Sequence, residues 1–303
     1  MAQKDVKNRI SSVKNIQKIT RAMEMVAAAR LRRAEQRIEH LRPYAGAIRR
    51  MTRRVVEAVE NIPSMPILEE HDQENRVGIL LVTGDRGLAG PFNSQIIRAG
   101  NRRAAELEAD GKEVVWFASG RRGVSSLSFR GRDVAGAYTG FTDRPAYANA
   151  REIADDLVQH YVDDELDRVE VIYNHYVSPL TQEVFHETLL PLQQIDALSE
   201  EEDDDEDGDE GADDEQQKAS WLYEPEPEEI LQRLIPDYVE ISIYRALLES
   251  TASEHGARMT AMRNASENAA EVIEDLTLEM NRARQAEITQ EIMEVVAGAE
   301  SLV

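Results

Sequence analysis

The chain has 303 residues, enough for one large or two ordinary domains, and a formal net charge of −23. It contains no cysteine, which excludes disulfides and thiolate-bound metals, and its six histidines stand singly without ligand spacing, so we expect no metal site. The charges throughout the first twenty residues argue against a secretory signal. The longest apolar runs are far shorter than the roughly 20 residues needed to cross a bilayer.

The charge is distributed unevenly along the chain. Residues 1–54 hold fifteen Lys or Arg against four acids, a net charge of +11. Residues 200–215 hold thirteen acids and no base, a net charge of −13, which leaves −21 for the remainder. An acidic body is typical of a soluble protein, but like charges repel along one helix, so the basic amino-terminal segment needs a partner.

A long amino-terminal helix is predicted over residues 1–61, beginning near residue 3 and ending before Pro63 and Pro66. Pro43 removes one backbone donor, so we expect a bend or local loosening over residues 39–44. Apolar side chains recur at spacings of three and four residues, which is the pattern of a coiled-coil seam. The seam comprises Val6, Ile10, Val13, Ile16 and Met23, then Ala27, Leu31, Ala34, Ile38, Leu41, Ala45 and Ile48.

The central part, residues 76–198, alternates between strands and helices, which is typical of an open α/β sheet. A final strand after the turn at Pro179 is expected to return antiparallel. The Gly- and Arg-rich residues 119–145 receive no assignment. Strands are predicted over residues 76–83, 113–118, 168–177 and 183–192, and helices over residues 91–110 and 146–162.

Residues 199–217 form an acidic low-complexity segment with no apolar residue larger than alanine, so we expect a disordered insertion. It is interpreted as a solvated loop, with an anionic arm that engages a basic surface as the alternative. Pro225 and Pro227 precede the carboxy-terminal shaft segment, residues 228–303, which is predicted to be helical to about Gly298. A helix of about sixty residues spans on the order of 90 Å, longer than a domain of this size.

The carboxy-terminal helix carries a matching heptad seam. The two ends of the chain are therefore predicted to pack on each other as an antiparallel coiled coil that projects from a Rossmann-like open α/β domain. The seam residues are Met259, Met262, Ser266, Ala269, Ile273, Leu276, Met280 and Ala283.

One turn has the context of a phosphate-binding loop. Residues 84–90 follow a strand and precede a helix, where backbone amides can hold phosphate. The segment lacks a Gly-Lys-Ser/Thr ending and GxGxxG spacing, so a tight glycine turn that leaves Arg86 exposed is the preferred interpretation. No serine stands in a GxSxG setting, and we predict neither a catalytic site nor a cofactor.

The basic helix also invites comparison with nucleic-acid-binding proteins. Four of its arginines have the charge to follow a phosphate backbone, namely Arg30, Arg32, Arg33 and Arg37. Residues 23–29, however, are Met-Glu-Met-Val-Ala-Ala-Ala, and small and apolar side chains suit close packing against a protein. We therefore expect no nucleic-acid partner.

Four segments resemble the gamma subunit of F-type ATP synthases. Residues 9–29 are similar to the family's amino-terminal signature, and residues 85–90 to its central motif, with Ala89 where a cysteine often stands. Residues 253–262 and 281–292 resemble its carboxy-terminal helix. The resemblance covers nearly the whole chain. The acidic insertion departs from it, and the cysteine pair of redox-regulated plastid members is missing.

The resemblance implies a central rotor shaft inside a ring of alpha and beta subunits. The α/β domain would sit on the membrane-embedded ring of c subunits, with the epsilon subunit beside it. Proton flow would turn the ring and the shaft, driving each beta subunit through its nucleotide-binding states. The chain would be a non-catalytic, peripheral subunit on the cytoplasmic face of the cell membrane, touching the membrane only through the complex.

The resemblance also implies particular contacts. Beta-subunit contacts are expected in two groups: a lower one at the lever of a beta subunit, and a higher one at a beta-subunit loop. Near the foot, a segment associated with the c ring would contact that ring. The lower group is Met23, Arg86 and Arg258, the higher group is Arg284, Gln285 and Thr289, and the c-ring contacts are Tyr223 and Glu224.

Three hypotheses follow, namely the coupling shaft, a Rossmann-like enzyme with helical extensions, and a basic coiled-coil nucleic-acid tether. The enzyme predicts saturable binding of ATP or NAD near residues 83–92. The tether predicts salt-sensitive retention on DNA or RNA. Co-purification with alpha and beta subunits discriminates among the three.

Overall fold

The computed structural model describes residues 3–58, 65–68, 71, 73–179, 181–192 and 226–300. Along the sequence, one long helix precedes the central α/β region and another follows it. The elements in chain order are α1 Gln3–Ala58, β1 Arg76–Val82, α2 Phe92–Ala109, β2 Glu113–Ser119, α3 Arg121–Phe129, β3 Val134–Tyr138, α4 Tyr147–Val162, β4 Arg168–Tyr176, β5 Gln182–Leu190 and α5 Pro227–Glu300.

The five strands form one sheet in the order β3-β2-β1-β4-β5. The first four strands are parallel and β5 is antiparallel to β4, as the sequence predicted. Central strands read as continuous apolar runs because helices cover both faces of the sheet. Ile79 and Leu81 pack with α2 and α3, whereas Leu80 and Val82 pack with α4 and the first part of α5. The predicted Rossmann-like α/β architecture is confirmed.

Residues 119–145, which received no assignment from the sequence, form α3 and the edge strand β3. The strand is Val-Ala-Gly-Ala-Tyr, whose small side chains give little apolar alternation. Gly136 lies against Phe117 and Tyr138, with 2.7 Å from its ideal Cβ position to the Phe117 ring, so a larger residue there would collide with the core. Close packing therefore explains the small residues of β3, and these small residues explain why its sequence lacks the pattern that predicts a strand.

The two long helices pack against each other along the shaft. Val6 and Ile10 cluster with Leu276 near one end, and Leu31 and Ala34 cluster with Ala252 lower down. Because rising numbers in α1 meet falling numbers in α5, the pair is antiparallel. The predicted coiled coil of the terminal helices is confirmed.

The prediction that Ile16 lies in the seam is wrong, since its side chain is 53% exposed. Gln17 and Thr20 occupy the seam instead, and Thr20 shares a 2.7 Å hydroxyl hydrogen bond with Ser266. The spacing from Val13 to Gln17 to Thr20 continues the four-and-three rhythm that Ile16 would interrupt. The middle of the shaft thus has a polar seam and leaves apolar side chains on its outer surface.

The helix α5 is longer than its partner and continues past it. Leu276 and Met280 pack near the start of α1, whereas residues 284–295 are exposed. The last twenty or so residues of α5, up to Glu300, therefore have no described α1 segment opposite them. At about 1.5 Å per residue, they extend the shaft by roughly 30 Å as a single helix.

Prolines do not divide the long helices. The assigned α1 runs through Pro43, where we expected loosening, and α5 runs through Pro236. The last residues of the predicted amino-terminal helix, 59–61, and the acidic insertion, 199–217, lie outside the described residues. The division of the chain at those segments remains an interpretation.

Deletion of residues 200–215 is expected to leave the melting temperature nearly unchanged, because the segment offers no apolar side chain to pack. The deletion changes the net charge from −23 to −10, since it removes thirteen acids. Thermal unfolding followed by circular dichroism checks this prediction, with a 16-residue Gly/Ser replacement as the control for chain length. Loss of soluble expression in both variants would show that the segment is structural.

Candidate functional site

The turn after β1 lies where the shaft meets the domain and is organised by Asp85. Its carboxylate accepts hydrogen bonds from the backbone N–H of Arg121 (3.1 Å), the backbone N–H of Gly140 (2.9 Å) and the hydroxyl of Thr142 (3.0 Å). Burial alone would raise the pKa of Asp85, but these hydrogen bonds outweigh it and hold the pKa below its ordinary value. The ionised side chain therefore ties the turn to the loops after β2 and β3.

This geometry argues against phosphate binding at the turn. A phosphate loop keeps backbone N–H groups free for the anion, whereas here the carboxylate of Asp85 already takes the N–H groups of the neighbouring loops. In open α/β sheets, ligands bind beyond the carboxyl ends of the strands where the strand order reverses. In this chain the helix α5 packs against the strand ends at that place. Its Ser250 and Ser253 hydroxyls donate hydrogen bonds to the carbonyls of Val82 and Asn174, respectively.

The shaft helix α5 carries a buried charge cluster beside this turn. Arg258 forms an ion pair with Glu254 one helical turn earlier, and it donates to the carbonyl of Gly87 at 3.3 Å. Burial raises the pKa of Glu254 even though the Arg258 charge opposes the rise. Burial and the same guanidinium lower the pKa of His255 to about 4, so this histidine is neutral at physiological pH. The cluster fixes α5 to the turn.

Three of the predicted contact residues lie together. Met23 on α1, Arg86 in the turn and Arg258 on α5 line one cleft of about 580 Å³. Arg86 has a side chain that is 67% exposed, and it lies 3.4 Å from the carboxylate of Asp143. Arg258 is only 8% exposed and is engaged within the chain. The remaining apolar side chains of the cleft are Ile19, Ala22, Val26, Ala27 and Leu88.

The second predicted group lies on the single-helix extension. Arg284, Gln285 and Thr289 are all exposed, and the Thr289 hydroxyl donates to the Gln285 carbonyl at 2.9 Å. They lie about 39 Å along α5 from Arg258, at about 1.5 Å per residue. The structure therefore does not bring the two groups together. Tyr223 and Glu224, the predicted c-ring contacts, lie outside the described residues.

Sequence reasoning missed Asp85 as an organising residue, together with Glu254 and Asp143. The partners of Asp85 and Asp143 come from distant segments, so no local pattern identified these two residues. One local signal existed for Glu254, because Glu254 and Arg258 stand four residues apart in an otherwise apolar and small stretch of α5.

The described part of the chain shows neither a metal-binding cluster nor a membrane span. No group of three or more His, Asp or Glu side chains there has the arrangement to hold a metal ion. No helix within the described ranges combines the length and apolar character that a membrane span requires.

A shaft of paired terminal helices on a Rossmann-like base defines the class of central-stalk subunits of rotary enzymes. The family described as ATP synthase matches residues 2–302. Relatives named ATP synthase gamma chain, from Rubrobacter xylanophilus and Moorella thermoacetica, are each 42% identical over 99% of this chain and 98% of their own. The chain belongs to the ATP synthase gamma chain family, whose members are the non-catalytic central rotor stalk of the F-type enzyme.

Solved structures agree with this assignment. The central stalk/c-ring structure of the Tetrahymena thermophila mitochondrial ATP synthase includes a chain with 27% identity and a TM-score of 0.60, covering 82% of this chain and 99% of that one. A chain of the Euglena gracilis mitochondrial ATP synthase has a TM-score of 0.65, with 99% and 94% coverage. At 16% identity, the second likeness shows the fold alone.

Proposed function

We propose that this chain transmits the rotation of a c-subunit ring to catalytic beta subunits and thereby couples proton flow to ATP synthesis. The observation that carries the proposal is the shaft itself, two antiparallel helices of which one continues roughly 30 Å past the other. A rigid and asymmetric rod can present different faces to surrounding subunits as it turns. The Tetrahymena relative, a chain of a central stalk/c-ring assembly, supports the same role.

The cleft at Met23 is the proposed lower contact with a beta subunit. Ile19 and Val26, which also line the cleft, are more than half exposed, which leaves an apolar surface on the shaft for a partner to cover. Arg86 would form an ion pair with a carboxylate of the beta-subunit lever, while Arg258 supports the cleft from behind. A rotor needs weak contacts at each of its rotational positions, and exposed ion pairs worth up to about 1 kcal/mol meet that requirement.

The single-helix extension is the proposed upper contact. Arg284, Gln285 and Thr289 would meet a beta-subunit loop, and the neighbouring Ile292 and Met293 are also more than half exposed. Exposed apolar residues along an unpaired helix favour a surrounding protein sleeve over open solvent.

The remaining partners are proposed from family membership. These are the alpha subunits of the same ring, the epsilon subunit beside the base, and the c ring through Tyr223 and Glu224. The chain would then be a peripheral protein at the cytoplasmic face of the cell membrane, held there through the complex.

Affinity purification of the tagged full-length chain tests the proposal most directly. Alpha and beta subunits should co-purify with it, and vesicles containing the complex should pump protons when given ATP. Calorimetry of the chain with ATP and NAD tests the enzyme alternative. Tight nucleotide binding near residues 83–92, together with no alpha or beta subunit in the eluate, would overturn the rotor role.

Replacing Met23 with lysine should reduce coupling while assembly stays intact. The substitution replaces an apolar side chain with a further positive charge in a cleft that four arginines already line, and desolvating that charge against the beta-subunit lever is unfavourable. We expect the ratio of proton pumping to ATP hydrolysis in vesicles to fall roughly two- to five-fold, which corresponds to about 0.4–1 kcal/mol.

The matched control is Met25→Lys. Met25 is exposed on the same helix, about 200° around its axis from Met23, and it does not line the cleft. This variant should keep a ratio near that of the wild-type complex. An unchanged ratio in the Met23 variant would contradict the proposed contact.

A further inference from the structure

Besides apolar packing, an ion pair and a hydrogen bond between described residues join the lower part of α1 to the α/β domain. Arg30 forms an ion pair with Asp143 in the loop between β3 and α4. Five residues further along, Glu35 accepts a 2.5 Å hydrogen bond from the hydroxyl of Tyr176 at the end of β4. We call these two contacts the lateral ties.

The first tie is part of a charged junction. Burial opposes ionisation of Asp143, but the guanidinium of Arg30, and then that of Arg86, outweigh burial and lower the pKa of Asp143. Both side chains of the Arg30–Asp143 pair remain about one-third exposed. The pair therefore stays ionised at neutral pH and links α1 to a loop that the Asp85 hydrogen bonds already hold.

The second tie joins a packed ring to a carboxylate. The side chain of Tyr176 packs against the cluster of Leu31, Ala34 and Ala252, and this packing positions the ring whose hydroxyl donates to Glu35. The tyrosine pKa is raised, by burial first and by the adjacent carboxylate second, so the hydroxyl keeps its proton and remains a donor. Hydrogen bonds to charged acceptors are stronger than neutral ones.

The lateral ties flank the α1 seam on opposite sides. Successive helical residues are separated by about 100°, so the seam residues centre about 70° around the axis from Arg30. Glu35 lies about 140° from Arg30, that is, about 70° beyond the seam centre. The seam residues used for this centre are Ala27, Leu31, Ala34 and Ile38.

Without the lateral ties, the seam between α1 and α5 would offer little resistance to rolling of α1 about its own axis. Ala27 and Ala34 on α1 and Ala252 on α5 are small and buried, so the helices approach closely, and Leu31 is the one large side chain of α1 that is buried between the ties. A helix with its side chains has a radius of about 6 Å, so a roll of about 30° displaces a side-chain end by about 3 Å. That displacement is enough to break a hydrogen bond.

We propose that the lateral ties oppose rolling of α1 about its own axis, each in one sense of rotation. Rolling one way carries Arg30 away from Asp143 and presses Glu35 into the packed interface, and rolling the other way reverses these roles. Force on Met23, less than two turns from Arg30, would load α1 in this manner. The inference rests on the proposed rotor function and adds positioning residues that act differently in the two directions of rotation.

The test uses the assembled complex in vesicles carrying Arg30→Gln or Tyr176→Phe. ATP synthesis under an imposed proton gradient and ATP-driven proton pumping are measured for each variant, relative to wild type. Each variant should lose roughly two- to five-fold in one direction and little in the other, as expected for contacts of this exposure. The two variants should affect opposite directions, and the double variant should be impaired in both.

Arg233→Gln is the matched control, because it breaks an exposed ion pair with Glu229 within α5 and touches neither tie. It should leave both rates at the wild-type level. Hydrogen exchange of residues 27–38 gives a second readout and should quicken in both tie variants. Equal losses in both directions, or losses in neither, would overturn the inference while leaving the rotor role intact. A wild-type complex that fails to pump protons would instead count against the rotor role.

Discussion

Replacing Gly120 with alanine is expected to lower the free energy of unfolding by about 3 kcal/mol or more. Gly120 has φ of +92°, a conformation that L side chains rarely adopt. A Cβ atom there would stand 2.2 Å from the carbonyl oxygen of Thr83, a backbone atom of the neighbouring strand end. Neither strain nor collision can be relieved without moving β1, so we expect a large loss in chemical denaturation.

Gly131→Ala is the matched control for this substitution. Gly131 also has positive φ, +72°, but nothing lies within 4 Å of its ideal Cβ position. This variant should therefore lose only the stability that a positive φ costs an alanine, about 1–2 kcal/mol. If the two variants unfold at the same denaturant concentration, the close approach of Gly120 to Thr83 does not contribute.

Replacing Arg258 with alanine is expected to destabilise the chain by about 3–5 kcal/mol at neutral pH, because it leaves the carboxylate of Glu254 buried without its partner. The Glu254 side chain is 3% exposed, so water cannot substitute for the guanidinium. Gly84 allows the carboxyl group to approach the turn, since a Cβ there would lie 2.8 Å from it. Denaturant unfolding at neutral pH measures the loss.

The loss should shrink as the pH falls. The folded-state pKa of Glu254 is already raised, and removing Arg258 raises it further, so the folded variant holds this proton at pH values where the unfolded chain has released it. Stability from this group is therefore present below its unfolded pKa and lost as pH rises through its folded pKa. Loss of the Arg258 charge also raises the pKa of His255, which acts in the same direction. The variant should lie closer to wild type at about pH 5 than at about pH 8.

The double variant Glu254→Gln with Arg258→Met separates charge from packing. It removes both charges while keeping similar side-chain volumes, and exchanging a buried ion pair for such residues is often nearly neutral. We expect it to recover most of the stability lost by Arg258→Ala and to lack the pH dependence. A double variant as unstable as the single one would show that packing, and not the buried charge, causes the loss.

The sequence predicted the parts of the fold that have a regular local pattern. Two patterns were visible in the sequence. Strands buried on both faces gave the apolar runs of β1 and β4, and helices that bury one repeated face gave the heptads of α1 and α5. The edge strand β3 was not visible, because the packing of Phe117 and Tyr138 permits only small side chains at its centre. Ile16 was wrongly placed in the seam because the shaft uses polar residues there, with Thr20 buried and Gln17 partly buried, and the sequence pattern favoured the apolar neighbour.

The candidate site was predictable in part. Met23, Arg86 and Arg258 were expected from three separate motifs, and the structure brings them to one cleft. The acidic residues Asp85 and Asp143 beside them could not be inferred, because they act through backbone groups and side chains from distant segments. Such non-local contacts depend on the strand order, which the local sequence does not specify.

The unequal lengths of the two long helices give the molecule a pointed end and a blunt end. A two-helix rod is about 20 Å wide, and its tip is only one helix wide. The base, a five-stranded sheet with helices on both faces, is too broad to follow the rod through an opening of that width. A ring of partners can therefore be threaded tip first or can close around the rod, but the base always remains outside on the same side. Any such assembly acquires a top and a bottom from this one chain.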